Sequence, residues 1–193
     1  MTPVDHFSFV APIYDVVIGG VMPSARLRAL LDLPAEGWLL DAGGGTGRVS
    51  HALRDQVGGV ALVDLAPGML AQSRRKNGVA PARARVQRLP FPDGAFARII
   101  VVDSLHHFGD QSGAARELMR VLAPGGRLVI EDFDLDRWPV KALALGEKLL
   151  LMRSRFLNAE GTARLFQAHG GRVTLHNDHP LNYWAVVEKA NGG

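Results

Sequence analysis

The 193-residue sequence has no cysteine, which excludes disulfides and thiolate chemistry. It has no apolar run approaching the roughly 20 residues of a membrane span. The opening residues, MTPVDHFSFVAPIYD, mix acids with a proline and lack the basic-then-apolar order of a secretory signal. A cytoplasmic location is the expectation. Charge excess is also small: 22 basic residues stand against 19 acids, for a net +3. That balance gives no bulk argument for a nucleic-acid partner. Repeats, low-complexity tracts and linkers are missing as well. With 47% hydrophobic residues, the chain reads as one globular domain over residues 1–193 with enough length for a core.

Strand and helix patterns alternate along the middle of the chain. Residues 37–43 (GWLLDAG), 59–65 (GVALVDL), 97–105 (ARIIVVDSL) and 127–133 (RLVIEDF) read as buried strands. Between them lie three helical patterns. Residues 46–57 carry Val49, Leu53 and Val57 on one face, and 67–77 opens on proline. Residues 112–126 turn Leu118, Met119 and Leu122 inward and stop at Pro-Gly-Gly. Such alternation predicts an α/β, doubly wound parallel sheet with helices on both faces. Further along, 138–156 is helical in pattern and 158–170 is a helix capped by Asn158. Residues 171–178 and 182–190 suit a closing antiparallel pair. The chain therefore divides into an N-terminal helical extension or lid (1–33), an alternating core (37–135) and further helices with closing strands (136–193).

The stretch LLDAGGGTGRVSHAL, residues 39–53, sets the question of function. A glycine cluster at a strand end either permits an unusual backbone path or lets a ligand come close. The P-loop spacing fails for want of a lysine, and the dinucleotide fingerprint fails because Arg48 and Ser50 stand where its third glycine belongs. What fits is acid-x-Gly-x-Gly-x-Gly: Asp41, Gly43, Gly45 and Gly47. A carboxylate before the loop repels pyrophosphate and suits a ligand with an ammonium and a sulfonium, as S-adenosylmethionine has. Asp64 ends the next strand, 23 residues on, where an acid accepts the hydroxyls of a ribose.

The sequence resembles the class I S-adenosylmethionine-dependent methyltransferases, and within them the group containing the ubiquinone/menaquinone biosynthesis C-methyltransferases. LLDAGGGTGRVS, VDLAPGML, RLPFPDGAFARIIVVDSLHHF and ELMRVLAPGGRLVIEDF carry the similarity, with FVAPIYD near the start. The resemblance implies a seven-stranded, mostly parallel, Rossmann-like sheet with an N-terminal helical extension, and S-adenosyl-L-methionine as cofactor. It implies that Gly43, Gly45 and Thr46 line the methionine part, that Asp64 holds the ribose, and that Leu65 and Met69 pack the adenine. Gln87 and Arg88 would edge the adenine, and Tyr14 would close over the site. Family members commonly carry Asp-Ala-Glu where this sequence has Arg85, Val86 and Gln87; Gln87 could hydrogen-bond the adenine through its amide, but Arg85 cannot accept from the adenine amino group.

Methyl transfer needs alignment and exclusion of water, and a base only where the acceptor must lose a proton. DSLHHF (103–108) supplies Asp103 and His107 as the catalytic candidates, with His106 beside them, and Asp103 is expected to bind the cofactor as well. No metal is expected, because His169, His176 and His179 lack ligand spacing. The basic stretch 73–88 reads as a solvated helix end and loop, without aromatic residues to stack on bases. Trp138 would shape the acceptor pocket, whereas Tyr183 and Trp184 sit in a strand pattern and belong to the core. Residues 140–151 would cap a lipophilic acceptor, cover the sheet or pair with a second subunit in a homodimer. The reading is a methyltransferase with a small-molecule acceptor, aromatic or lipophilic. The alternatives are an RNA or protein methyltransferase and a non-catalytic cofactor-binding regulator.

Overall fold

The computed structural model of the protein describes residues 25–136, 155–177 and 181–191. Seven strands form one sheet: β1 (Trp38–Ala42), β2 (Gly59–Asp64), β3 (Ala80–Arg83), β4 (Phe96–Val102), β5 (Leu122–Phe133), β6 (Gly171–His176) and β7 (Asn182–Lys189). Their spatial order is β3-β2-β1-β4-β5-β7-β6, and β7 runs antiparallel to both its neighbours. The helices are α1 (Ala25–Leu31), α2 (Arg48–Leu53), α3 (Pro67–Ser73), α4 (Gln111–Val121) and α5 (Ala159–Gln167).

The apolar runs become central strands because both sheet faces are covered. In β4, Ile99, Ile100 and Val101 are all fully buried, yet alternate residues serve opposite sides. Leu40, Ile99, Val101, Leu128 and Ile130 join the core beneath α4 and α5, with Leu118 and Phe166. Leu39, Val60, Ile100 and Val129 pack with Leu27, Leu31 and Leu53 of α1 and α2 on the other side. Each such side chain contributes about 1.5–3 kcal/mol on burial. Tyr183 and Trp184 are buried in β7, so they are core residues as the strand pattern indicates.

Three expectations need correction. The helix of 112–126 ends at Val121, and β5 already begins at Leu122. Leu122 pairs with Phe96 and Arg127 with Arg98, so the Pro-Gly-Gly turn is a bulge inside a strand. The Lys189 ammonium caps α4 instead, donating to the carbonyls of Met119 (2.7 Å) and Leu122 (2.8 Å). The strand read at 97–105 stops at Val102, and residues 105–107 form a 3-10 turn. The basic stretch 73–88 contains the edge strand β3, which accommodates Pro81 because a sheet edge tolerates a missing donor. The cap at Asn158 forms as expected, its Oδ1 accepting from Gly161 N at 2.8 Å. Tyr14, Trp138 and residues 140–151 lie outside the described residues.

Candidate active site

Chain order reverses between β1 and β4: β1 leads outward to β2 and β3, and the chain then returns to β4. In open parallel sheets the crevice at the carboxyl ends of such strands receives ligands. Here that crevice is floored by residues 43–47. Gly43 and Gly44 both donate to the Val63 carbonyl, at 2.8 and 3.2 Å. Gly43, Gly45 and Gly47 have φ of +74°, +54° and +73°, which is why glycines recur at every second position. A β-carbon on Gly43 would stand 2.8 Å from Ser104 Oγ, and one on Gly44 would overlap the Asp41 carboxylate. Gly45 is open by comparison: the nearest atom to its added β-carbon is Met69 Sδ at 3.8 Å. Backbone at Gly45 is thus approachable from the cleft, with Met69 as its wall.

Acids gather around this floor. Asp64, at the tip of β2, accepts from Gly45 N (2.9 Å) through Oδ2 and from Ala66 N (2.8 Å) through Oδ1. It therefore ties the glycine loop to the neighbouring strand. Asp41 is 2% exposed, and its Oδ2 has no hydrogen-bond partner among the described residues. Burial pushes its carboxyl up to about 7; Asp64 adds to the rise, while Ser50 and Arg48 offset it. Asp103 follows β4 with φ of +48°, and its Oδ1 likewise lacks a partner among the described residues. Burial, reinforced by Asp132, raises it to about 6 against the pull of His106 and Arg48. Glu131 is raised to about 7, mainly by burial and then by Asp103. The cleft is thus acidic, with Arg48 as the cation that acts on Asp41, Asp103 and Glu131 together.

The histidine pair divides. His106 is buried: its Nδ1 lies 2.6 Å from Asp132 Oδ1, and its backbone N donates to Asp132 Oδ2 at 3.1 Å. An ionised carboxylate only accepts, so Nδ1 carries the hydrogen. The ring stacks on Phe156 at 4.3 Å, with His107 on it at 3.9 Å. Burial, then His106, pushes the His107 imidazole down to about 3. Asp132 and Glu131 escaped the sequence reading. Acids at strand ends singled out Asp41 and Asp64, and the same rule applied to EDFD (131–134) would have found both.

The other expected residues are spread around the cleft. Thr46 is buried and its carbonyl accepts from Lys76 Nζ at 2.8 Å. Leu65 is 47% exposed beside Asp64, while Met69 is buried. Gln87 Nε2 donates to the Asp110 carbonyl at 3.2 Å, and Arg88 is exposed on the same turn. Among the described residues, no group of three or more His, Asp or Glu is arranged to hold a metal. No helix there is long and apolar enough to cross a membrane.

Residues 40–130 match the methyltransferase domain family, which spans β1 through most of β5. Solved structures agree on the fold. An S-adenosylmethionine-dependent methyltransferase from Thermotoga maritima superposes with a TM-score of 0.78 at 20% identity, over 96% of this chain and 97% of that one. Phosphoethanolamine N-methyltransferase 2 of Haemonchus contortus, solved with S-adenosyl-L-methionine, gives 0.80 at 15% identity, over 98% and 59% of the two chains. With an acidic glycine loop at the switch point of a 3-2-1-4-5-7-6 sheet, residues 40–130 carry a methyltransferase domain of the class I, S-adenosylmethionine-dependent kind. The chain is also similar to curated proteins. It is 40% identical over 143 residues to the demethylmenaquinone methyltransferase of Thermus thermophilus, covering 66% of this chain and 64% of that protein. It is 37% identical over 106 residues to the ubiquinone/menaquinone biosynthesis C-methyltransferase of Shewanella frigidimarina, covering 49% and 42%. The chain spans less than two thirds of either relative's length.

The residues fit the cofactor of that class. The carboxylate oxygen of Asp41 left without a partner suits an ammonium group, and the open main chain at Gly45 suits a methionine tail.

Proposed function

We propose that this protein transfers a methyl group from S-adenosylmethionine to a small-molecule acceptor of aromatic or lipophilic character. The observation that carries the cofactor reading is the buried Asp41 oxygen without a partner at the head of the glycine loop. A carboxylate there opposes phosphate and favours a cation. The acceptor reading rests on relatives whose names specify quinones. When bound, the cofactor supplies a methyl carbon already activated by its sulfonium.

The chain itself aligns and encloses. Gly43, Gly45 and Thr46 line the methionine part, with Asp41 facing its ammonium. Asp64 accepts from the ribose while still holding Gly45. Leu65 and Met69 bracket the adenine, and Gln87 and Arg88 lie along its edge. His107, neutral across the physiological range, accepts a hydrogen bond from the acceptor and orients it. A group at about 3 removes protons poorly at pH 7. Asp103, raised to about 6, is better matched to that task when the acceptor must lose a proton.

The test is a transfer assay with methyl-labelled S-adenosylmethionine and a demethylmenaquinone-type naphthoquinol. Label should enter a product extractable into organic solvent. Label appearing in RNA or protein, or cofactor binding without transfer, would overturn the reading.

The raised acids add a pH signature. An acid whose folded value exceeds its ordinary one binds protons in the folded chain between the two. For Asp41, Asp103 and Glu131, stability of the ligand-free protein therefore falls as pH rises from about 4 to 7 and levels off above. An ammonium placed beside Asp41 favours its carboxylate and reverses the shift. S-adenosylhomocysteine should accordingly bind more tightly at about pH 8 than at about pH 5.5, releasing a proton in between. Titration calorimetry in buffers of different ionisation enthalpy measures that proton. Heats independent of buffer would put the ammonium away from Asp41.

A further inference from the structure

Between Asp64 and Asp93 the chain has no acid but six cations: Arg74, Arg75, Lys76, Arg83, Arg85 and Arg88. Folding gathers this stretch on one side of the molecule. Arg74 and Arg75 follow α3, Arg83 ends the edge strand β3, and Arg85 and Arg88 pair across the turn beyond it. All five arginines are exposed, and none forms an ion pair among the described residues. Elsewhere Arg54, Arg98, Arg120, Arg127, Arg164 and Arg172 each meet a carboxylate. A row of like charges with no carboxylate to offset it repels itself and attracts anionic surfaces.

Two further features say which anionic surface fits. Residues 65–90 contain no Phe, Tyr, Trp or His, so this edge has nothing on which nucleic-acid bases could stack. Arg83 is held at this edge, its Nε donating to the Leu65 carbonyl at 3.1 Å. Guanidinium groups on an edge without stacking partners suit headgroup phosphates.

We propose that the β3 edge docks the protein on anionic lipid bilayers, the guanidinium groups of Arg74, Arg75, Arg83 and Arg85 against lipid phosphates. The choice of a bilayer rests in part on the reading of the acceptor as lipophilic. Because β3 is parallel to β2, Arg83 lies on the same rim as Asp64 and the glycine loop. The strand bearing Asp103 is three places along the sheet, on the order of 15 Å away. Docking thus brings the mouth of the cleft to the surface in which a lipophilic acceptor is dissolved.

Vesicle flotation of the full chain tests this, with neutral phosphatidylcholine against phosphatidylcholine containing about 30 mol% phosphatidylglycerol. Partitioning should favour the anionic vesicles at least ~tenfold in about 0.1 M salt and be lost in about 0.5 M. The R74Q/R75Q/R83Q/R85Q variant should lose at least ~tenfold of that binding, whereas R74K/R75K/R83K/R85K should keep it. The lysine version separates loss of charge from loss of fold. R54Q/R116Q/R164Q/R172Q, with the same change in charge elsewhere, should also keep it. Equal binding to neutral vesicles, an undiminished glutamine variant, or tighter binding to single-stranded RNA than to anionic vesicles at equal salt would each overturn docking. The assay contains neither cofactor nor acceptor, so its failure removes the docking surface alone. The labelled-methyl assay decides the acceptor separately.

Discussion

Replacing Asp64 by alanine should weaken S-adenosylhomocysteine binding by about a hundredfold or more, read by titration calorimetry. The carboxylate has two tasks in the proposed site. It holds Gly45 N at 2.9 Å and so fixes the open main chain over which the methionine part lies. In the proposed site it also accepts from the ribose hydroxyls. Hydrogen bonds to a charged group contribute about 1.5–3 kcal/mol each. Losing two comes to about 3 kcal/mol at the least, and every 1.4 kcal/mol is tenfold in affinity. Asp64→Asn keeps an acceptor oxygen and should fall between the two, near tenfold. The fold should tolerate both changes, since Asp64 is only half-buried and Gly45 N can turn to water. An unaltered affinity in the alanine variant would mean that the ribose binds elsewhere.

The second large effect belongs to Asp132, on stability. Its two oxygens accept from His106 N, His106 Nδ1 and Phe133 N, all in a site where Asp132 is 2% and His106 3% exposed. Truncation to alanine leaves those donors buried and unsatisfied, a loss of about 3–5 kcal/mol. For a chain of this size that lowers the melting temperature by on the order of 10 °C. Asp132→Asn should be milder in stability yet informative in mechanism. Its amide has one acceptor oxygen in place of two, and an NH2 facing Nδ1 drives His106 to the other tautomer. His107 rests on that ring at 3.9 Å, so turnover should drop about tenfold while S-adenosylhomocysteine affinity stays within about threefold. Nitrogen chemical shifts of His106 report the tautomer. A melting temperature within about 2 °C of the parent for Asp132→Ala would show that the pair holds nothing together.

Much of this architecture is visible in the residue order. Apolar runs too short for helices, each followed by a helical pattern, specify β1, β2 and β4 and the sense of the sheet. The glycines at 43, 45 and 47 announce their own left-handed backbone, since few other residues adopt it without strain. Asp41 and Asp64 stand out because acids seldom end a buried run. β3 was hidden: four residues with a proline and two alanines carry no strand period, and only the neighbouring β2 supplies its partner. The end of α4 was misread for a related reason. Pro-Gly-Gly is a local stop signal, but pairing of Leu122 with Phe96 takes the chain into β5 first.

The sequence by itself therefore determined what short-range physics controls: strand and helix periods, backbone sign at the glycines, and the cap at Asn158. Tertiary structure alone decided which side chains meet. His106 and Asp132, 26 residues apart, touch because β4 and β5 lie side by side. Asp103 and Glu131 are raised together because the same pairing buries both at one rim. Charge and proton affinity depend on neighbours across space and on the water that folding removes, and neither is written in the order of residues.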